Sequence, residues 1–490
     1  MNRFRARFVR SCLAIGAVVA LCGCVGTAGT ITAAGASPAP GSISRAAATF
    51  TGPVTVGHVI EPLSALPLDL AANGYVEQEY FASGTAAAFK ATSEPSNGKW
   101  SATPTTTATY RTRILVRRPK NPAHFNGTVV VEWMNVSAGE SAPDWDYLNP
   151  ELMRDGYAYV AVSAQAQGVN GGKPLLGAAE AGGGTGLIGS EPARYGSLHH
   201  PGDQYALDMF AQIGKAVRTQ SKTILGRLRP THVVAAGESQ SAFYLTTFAD
   251  AIQPLTHTFD GIFIHSRGGS GASLSGTSIG TSSGPSNLRI RPDLGVPVFM
   301  FETQTDLIEL GYAAARQPNT KWIRTWQVAG TSHADAYLVG AAASVLGCTS
   351  PLNDGPQHFV VQAAFAAFDK WVNQGTQPPS PPPFRLASTK PATLALDKFG
   401  NVIGGVRTPA VAVPVSTLSG AAPPGASAIC SLFGSTTAFS PTMLTSLYHD
   451  KTSYLASFTA SLNRAIQQGF ILKADRAAVL AQAQAVPFPA

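Results

Sequence analysis

The sequence predicts an α/β fold, with a mostly parallel central sheet covered by helices on both faces. Three observations predict it. Residues 128–134 (TVVVEWM), 231–236 (THVVAA) and 296–301 (VPVFMF) are nearly continuous apolar runs, the pattern of strands buried on both faces. Segments with helical spacing lie between and beyond them, at 143–155, 203–222 and 357–374. Hydrophobic residues make up 44% of the chain and charged residues 13%, which suits a large core and excludes a globally disordered chain.

Along the chain, residues 1–36 read as an export or lipoprotein leader and 37–51 as a flexible leader rich in small residues. Residues 75–81 alternate as a strand, and 108–117 (ATYRTRILVR) carry β-branched and aromatic residues throughout. The βα rhythm then begins with strand 128–134 and helix 143–155, whose apolar positions are Trp145, Leu148, Leu152 and Met153. Strand 157–162 follows, then a Gly-rich stretch, 168–202. Helix 203–222 presents Leu207, Phe210, Ile213 and Val217 on one face and leads to strand 231–236. The second half repeats the pattern with strands at 259–264, 296–301 and 323–328, a Gly/Ser-rich stretch at 267–288, and helix 357–374. The core therefore spans 52–376. The Pro-rich stretch 377–384 opens a C-terminal extension, 377–490, packed on that core, with short strand-like pieces at 394–415 and a helical end at 441–485. The 49 Gly and 35 Pro fit a loop-rich protein.

The formal charge of +7 is uneven. Removing Arg3, Arg5, Arg7 and Arg10 from the 35 basic residues leaves 31 against 28 acidic ones, a balance of +3. No basic stripe with interleaved aromatics remains, so nucleic acid is not an expected partner. The basic start precedes an apolar run at 12–25, shorter than the roughly 20 residues of a membrane span, and it reads as a signal-peptide core. Two processing routes stand open, beside a retained anchor. LCGC (21–24) resembles a lipobox, in which Cys24 is acylated and tethers the chain to a membrane. Alternatively, cleavage falls within 33–39. Either makes the protein secreted or cell-envelope associated, and leaves Cys348 and Cys430 in the folded body. Two cysteines in an exported protein favour one disulfide over two buried thiols.

The chemistry centres on Gly237-Glu-Ser-Gln-Ser241, which follows a buried strand and precedes the helical pattern 242–251. A nucleophile elbow is a sharp strand-to-helix turn that lifts a serine above the sheet and needs small residues two positions either side. Gly237 and Ser241 are small, so Ser239 is the candidate nucleophile. Candidate partners follow in the order Ser, acid, His. Asp306 lies about four residues past strand 296–301; its alternative role is a helix N-cap for 307–315. Glu302, nearer the strand end, is the second candidate acid. His333, after the next strand and beyond Gly330, Thr331 and Ser332, is the candidate base. Among the other histidines, His199 and His200 with Asp203 lack further ligands at familiar metal spacing and read as a polar loop, and His265 reads as a pocket-edge or structural residue. The oxyanion needs two backbone N–H donors, each worth about 3 kcal/mol of barrier. Gln240, directly after the nucleophile, supplies one. The other is expected from the loop near Asn135 and Val136, with Asn135 as the choice.

Several long segments carry a resemblance: TYRTRILVRRP (109–119), NGTVVVEWMNVSAGE (126–140), EPARYGSLHHPGDQYALDMF (191–210), AAGESQSAFYL (235–245), WQVAGTSHADAY (326–337) and NDGPQHFVVQAA (353–364). On these the chain resembles the exported bacterial alpha/beta hydrolase domain-containing proteins, from about residue 52 to about 488. The resemblance implies an α/β-hydrolase fold, with Ser239 as nucleophile and His333 as base, and it implies that the final Ser of the elbow is normal. The family often shows E-T-D where this chain has Gln304-Thr305-Asp306, which favours Asp306 as the acid. It also implies that Cys348 and Cys430 are paired, that the tail belongs to the same domain, and that the activity is carboxylic ester hydrolysis.

Other functions stay open on the residues alone. The same triad serves an acyltransferase or a polyester depolymerase, and a non-catalytic binding lipoprotein is the alternative from another class. The expected substrate is a small-molecule or polymeric ester. No cofactor motif is present: no G-x-G-x-x-G follows a strand, and there is no Walker-type loop. Tyr195, Trp133 and Trp145 are candidate pocket aromatics, with core packing as their alternative role. The Gly-rich stretches read as a lid or as surface loops.

Overall fold

A computed structural model describes residues 46–63, 68–175, 184–276, 285–421 and 423–488. The leader 1–36 with Cys24 lies outside the described residues, as do the middles of both Gly-rich stretches. Among the described residues, nine strands form one sheet: β1 Thr49–Thr51, β2 Tyr75–Ser93, β3 Ser101–Pro119, β4 Thr128–Trp133, β5 Ala158–Val162, β6 His232–Glu238, β7 Gly261–His265, β8 Val298–Glu302 and β9 Ile323–Gln327. Their spatial order is β1-β2-β3-β5-β4-β6-β7-β8-β9. Every pairing from β5 to β9 is parallel, and β1, β2, β3 and β5 pair antiparallel in turn.

The continuous apolar runs follow from burial on two faces. In β4, Val129, Val131 and Trp133 face one core, where helix Ala206–Thr219 packs with Leu207, Phe210 and Ile213. Val130 faces the other core, under helices Pro143–Arg154 and Gln357–Gln374, with Trp145, Leu148, Phe365 and Phe368. β6, β7 and β8 alternate in the same way. Each large apolar side chain buried here stabilises the fold by roughly 1.5–3 kcal/mol.

Three boundaries differ from the sequence expectation. β2 and β3 run well beyond 75–81 and 108–117 as a ribbon with one wet face: Ala86 to Phe89 are buried while Thr103, Thr105, Thr107 and Thr109 are exposed. Such a face carries little apolar signal. The last residues assigned to the flexible leader form β1, where Phe50 turns into the core between exposed Thr49 and Thr51. The elbow helix starts at Gln240, directly after Ser239, and widens into a π-helical turn at Phe248–Ile252.

The described residues, from 46 to 488, fall in one compact unit. Beyond the Pro-rich stretch, Val406 continues the edge of the sheet: Ala329 N–H donates to its carbonyl and its N–H donates to the Gln327 carbonyl, at 3.0 and 2.7 Å. Trp326 of β9 donates to the Pro379 carbonyl and meets the Phe470 ring edge-on at 5.0 Å. Tyr454, Phe458 and Leu462 of helix Lys451–Gln467 cluster with Phe359. Cys348 and Cys430 form a disulfide. No helix among the described residues is long and apolar enough to cross a membrane.

Candidate active site

β6 ends at Glu238, and the chain turns sharply into helix Gln240–Thr247 through Ser239, whose φ of 58° and ψ of −120° are strained for a residue with a Cβ. A Cβ on Gly237 would lie 3.0 Å from both the Leu245 Cδ1 and the Ser241 Cβ, which is why the turn requires a small residue there. Ser239 N–H donates to the His265 carbonyl of β7 at 3.0 Å, pinning the turn to the neighbouring strand.

The loops after β8 and β9 converge on this serine. His333 Nε2 lies 2.7 Å from Ser239 Oγ, and His333 Nδ1 lies 2.7 Å from Asp306 Oδ1. A carboxylate only accepts, so Nδ1 carries the proton and Nε2 accepts from the serine hydroxyl. The second oxygen of Asp306 accepts from Thr303 N–H at 2.7 Å and from Thr303 Oγ1 at 2.8 Å. The N-cap reading of Asp306 is corrected: Thr303 is the N-cap of helix Gln304–Ile308, and Asp306 is its third residue, the two forming a capping box. The cap orients the carboxylate that faces the histidine. Asp306 is fully buried and His333 is 3% exposed.

The chain matches the alpha/beta hydrolase domain family over residues 50–481. It belongs to that family. The α/β-hydrolase fold and a hydrolase activity follow from this membership and from the sheet order. Among solved structures, it is similar to a proposed dienelactone hydrolase from Klebsiella pneumoniae, at 12% identity and a TM-score of 0.31, covering 60% of this chain and 99% of that one. It is also similar to a proposed carboxylesterase from Lactobacillus plantarum, at 14% identity and 0.30, covering 60% and 100%. An esterase from Rhizomucor miehei is similar at 10% identity and 0.30, covering 60% and 85%. No curated protein matches the chain.

Within this family member, the second candidate acid stands apart. Glu302 is fully buried at the end of β8, and neither carboxylate oxygen has a hydrogen-bond partner among the described residues. Burial holds its carboxyl well above the usual range, Asp306 adds to that, and Arg267 opposes it.

The oxyanion expectation needs one correction. Asn135 N–H donates to the Ser141 carbonyl at 2.9 Å, in a reciprocal pair that closes the loop, so it is not free to receive a substrate oxygen. The next N–H, of Val136, donates at 3.1 Å to the side-chain oxygen of Gln240. Val136 is therefore the backbone donor that faces the elbow. Gln240 N–H heads its helix without an intrahelical acceptor, as any first-turn N–H does.

Sequence reasoning missed Glu238 and Asp144, and it read His265 as a pocket-edge or structural residue. Glu238, hidden in a variable position of the elbow motif, lies 3.6 Å from His333 Nε2 and is 3% exposed. Burial holds its carboxyl well above the usual range, with Asp144, Asp306 and Glu132 pushing the same way. Beneath the serine, His265 Nδ1 lies 2.8 Å from Asp144 Oδ1, fully buried against Phe301 and Tyr147. His265 is thus structural, and its carbonyl holds the nucleophile's N–H.

The remaining candidates are accounted for by packing. Tyr195 is fully buried and donates to Glu79. Trp133 stacks on Tyr244 at 4.7 Å, and Trp145 packs on Tyr159. His200 bonds the Ala164 carbonyl and the Gly202 N–H, and no group of three or more metal-ligand side chains occurs among the described residues. Beside Val136 opens a cleft of about 230 Å³, with Ile60, Leu63 and Leu187 as apolar walls and Glu61 and Glu140 as acidic ones.

Proposed function

We propose that the protein is an exported serine hydrolase that cleaves a carboxylic ester, with Ser239 as nucleophile, His333 as base and Asp306 as acid. The single observation that carries this reading is the hydrogen-bond chain from Ser239 Oγ through His333 to Asp306, with 2.7 Å at both links, on a left-handed serine between a strand and a helix. Ser239 Oγ attacks the ester carbonyl while His333 Nε2 takes its proton, and Asp306 stabilises the imidazolium. The oxyanion is received by the N–H groups of Gln240 and Val136 once the Gln240 side chain swings off Val136. Collapse expels the alcohol, which takes the proton from His333. Water then attacks the acyl-serine by the same route, releasing the acid and the free enzyme.

The cleft beside Val136 is a candidate seat for part of the substrate. Ile60, Leu63, Val136 and Leu187 line it, which favours an ester with an apolar group there; Glu140 is already paired with the buried Arg113. The disulfide and the N-terminal leader together support export into an oxidising compartment.

The test is covalent labelling with a fluorophosphonate probe. The wild-type protein is expected to label at one site, and Ser239→Ala to abolish both labelling and turnover of an activated neutral ester. A wild-type protein that fails to label, or a Ser239→Ala variant that still turns the ester over, overturns the assignment.

A further inference from the structure

We propose that the C-terminal hairpin is a positioning element of the catalytic site, and that Gly420 is its central residue; the inference rests on the Ser239–His333–Asp306 reading. The hairpin pairs Ser416–Ser419 with Ser435–Ala438, and the segment between these strands reaches back to the two loops that carry the acid and the base.

Gly420 is gripped from both sides of its backbone by the two residues that precede Asp306. Its N–H donates to the Gln304 side-chain oxygen at 2.7 Å, and its carbonyl accepts from the Thr305 hydroxyl at 2.6 Å. Gln304 and Thr305 are buried, at 3% and 0% exposed, so these bonds are not exchanged for water. Gln304 also donates its own N–H to the Thr331 carbonyl, two residues before His333, at 3.3 Å. One glycine therefore sits where the acid's helix meets the base's loop. A Cβ there would lie 2.5 Å from the Gln304 Cβ, 2.7 Å from the Thr331 carbonyl oxygen and 2.9 Å from Thr305 N. Two of these contacts are backbone, so a larger residue must push the two loops apart.

The far end of the segment makes a second set of ties. Ala334, the residue after His333, donates its N–H to the Leu432 carbonyl at 3.0 Å. A Cβ on Gly434 would lie 3.0 Å from the Ser332 Cβ, which places this turn against the residue before His333. Asn353 donates its N–H to the Phe433 carbonyl at 3.0 Å and its side-chain amide to the Ser419 carbonyl at 3.1 Å, closing the frame. The disulfide between Cys430 of this segment and Cys348, downstream of His333, ties the same two pieces covalently. Neither Gly420 nor Thr305 touches the reacting atoms; both act through the separation of Asp306 and His333.

The test uses the full protein and reads kcat and KM on a neutral activated ester, alongside thermal unfolding. Thr305→Val keeps the shape and removes the hydroxyl. It is expected to lower kcat about tenfold to a hundredfold, as a misplacement on the order of 1 Å does, with KM nearly unchanged. Thr305→Ser restores the hydroxyl and is expected to recover most of kcat. Gly420→Ala is expected to act in the same direction; if it does not fold, the Thr305 pair decides alone. The proposal is overturned if folded Thr305→Val keeps kcat within about twofold of wild type, or if Thr305→Ser is as impaired as Thr305→Val. Failure of the triad itself is distinguishable, because it appears as persistent activity in Ser239→Ala.

Discussion

Two carboxylates stand near the end of β8, and their surroundings assign them opposite roles. Asp306 accepts three hydrogen bonds, two from Thr303 and one from His333. Glu302 accepts none among the described residues, and burial pushes its carboxyl well above the usual range. Asp306→Asn is therefore expected to lower kcat by about 10⁴, because an amide cannot hold the histidine tautomer that accepts from serine. Glu302→Gln alters a carboxyl that no histidine or other described residue bonds, and is expected to leave kcat within a few-fold; steady-state kinetics on the two variants checks both, and a reversed pattern would assign the acid to Glu302. Glu238 obeys the same logic. Burial pushes the Glu238 carboxyl well above the usual range, and Glu238→Gln, which keeps its shape at 3.6 Å from His333, is expected to keep most of kcat at neutral pH. A loss comparable to Asp306→Asn would mean that Glu238 is ionised and catalytic. At this scale much of the site was legible. Ser239, Asp306 and His333 stand out because residue type, chain order and flanking small residues all carry signal. The choice between Asn135 and Val136 as candidate second oxyanion donor was not legible, because a backbone N–H is available or spent according to its partner. Nothing in the residue type of Asn135 announces the Ser141 carbonyl that takes it. Glu238 went unread because the motif treats its position as free.

At the scale of elements, the strands read best where the sheet is buried on both faces, since β4, β6 and β8 are apolar along most of their length. The outer half of the β2–β3 ribbon was not legible, because one face meets water and its threonines carry no apolar period. The C-terminal extension was read as packed on the core, but its hold on the acid and base loops depends on Gly420 and on backbone groups. Those contacts are set in three dimensions and leave no spacing in the chain. One contact there has a measurable energy. Phe470 lies edge-on to Trp326, whose strand leads directly to the His333 loop, and Phe470 is 9% exposed. Phe470→Ala opens a void against β9 and is expected to cost about 3 kcal/mol of stability, at the low end for such truncations because the site is near the surface. Urea unfolding checks the value. A change below the noise of that measurement would show that the tail contributes nothing at this contact.

For the whole molecule, buried carboxyls couple stability to pH. Burial pushes Asp335 up to about 7, against hydrogen bonds from Leu338 N–H and the Tyr147 hydroxyl. Burial also pushes Glu151 up to about 7, with Arg154 opposing. Glu132, Glu238 and Glu302 are displaced in the same direction by the same cause. In the unfolded chain all of these release their protons near pH 4. Through these carboxyls the folded protein binds more protons than the unfolded one between about pH 4 and 7, and their contribution falls as pH rises through that window, while His358, pushed down to about 4 by burial, works against them below about 6.5. Below it both states are protonated and the contribution is complete; above it the contribution is gone. Asp293, lowered to about 2 by Arg291, works in the opposite direction, but only as the pH falls below about 4. The urea midpoint is thus expected to decline from pH 5 to pH 8. Asp335→Asn isolates one term, because the amide oxygen still accepts from Leu338 N–H and cannot ionise. The variant is expected to match the wild type near pH 4 and to exceed it by about 4 kcal/mol at pH 8, a shift of roughly 3 units at about 1.4 kcal/mol each. Parallel pH profiles for the two proteins would mean that Asp335 is already ionised in the folded state, and that the decline belongs to the carboxyls beneath Ser239.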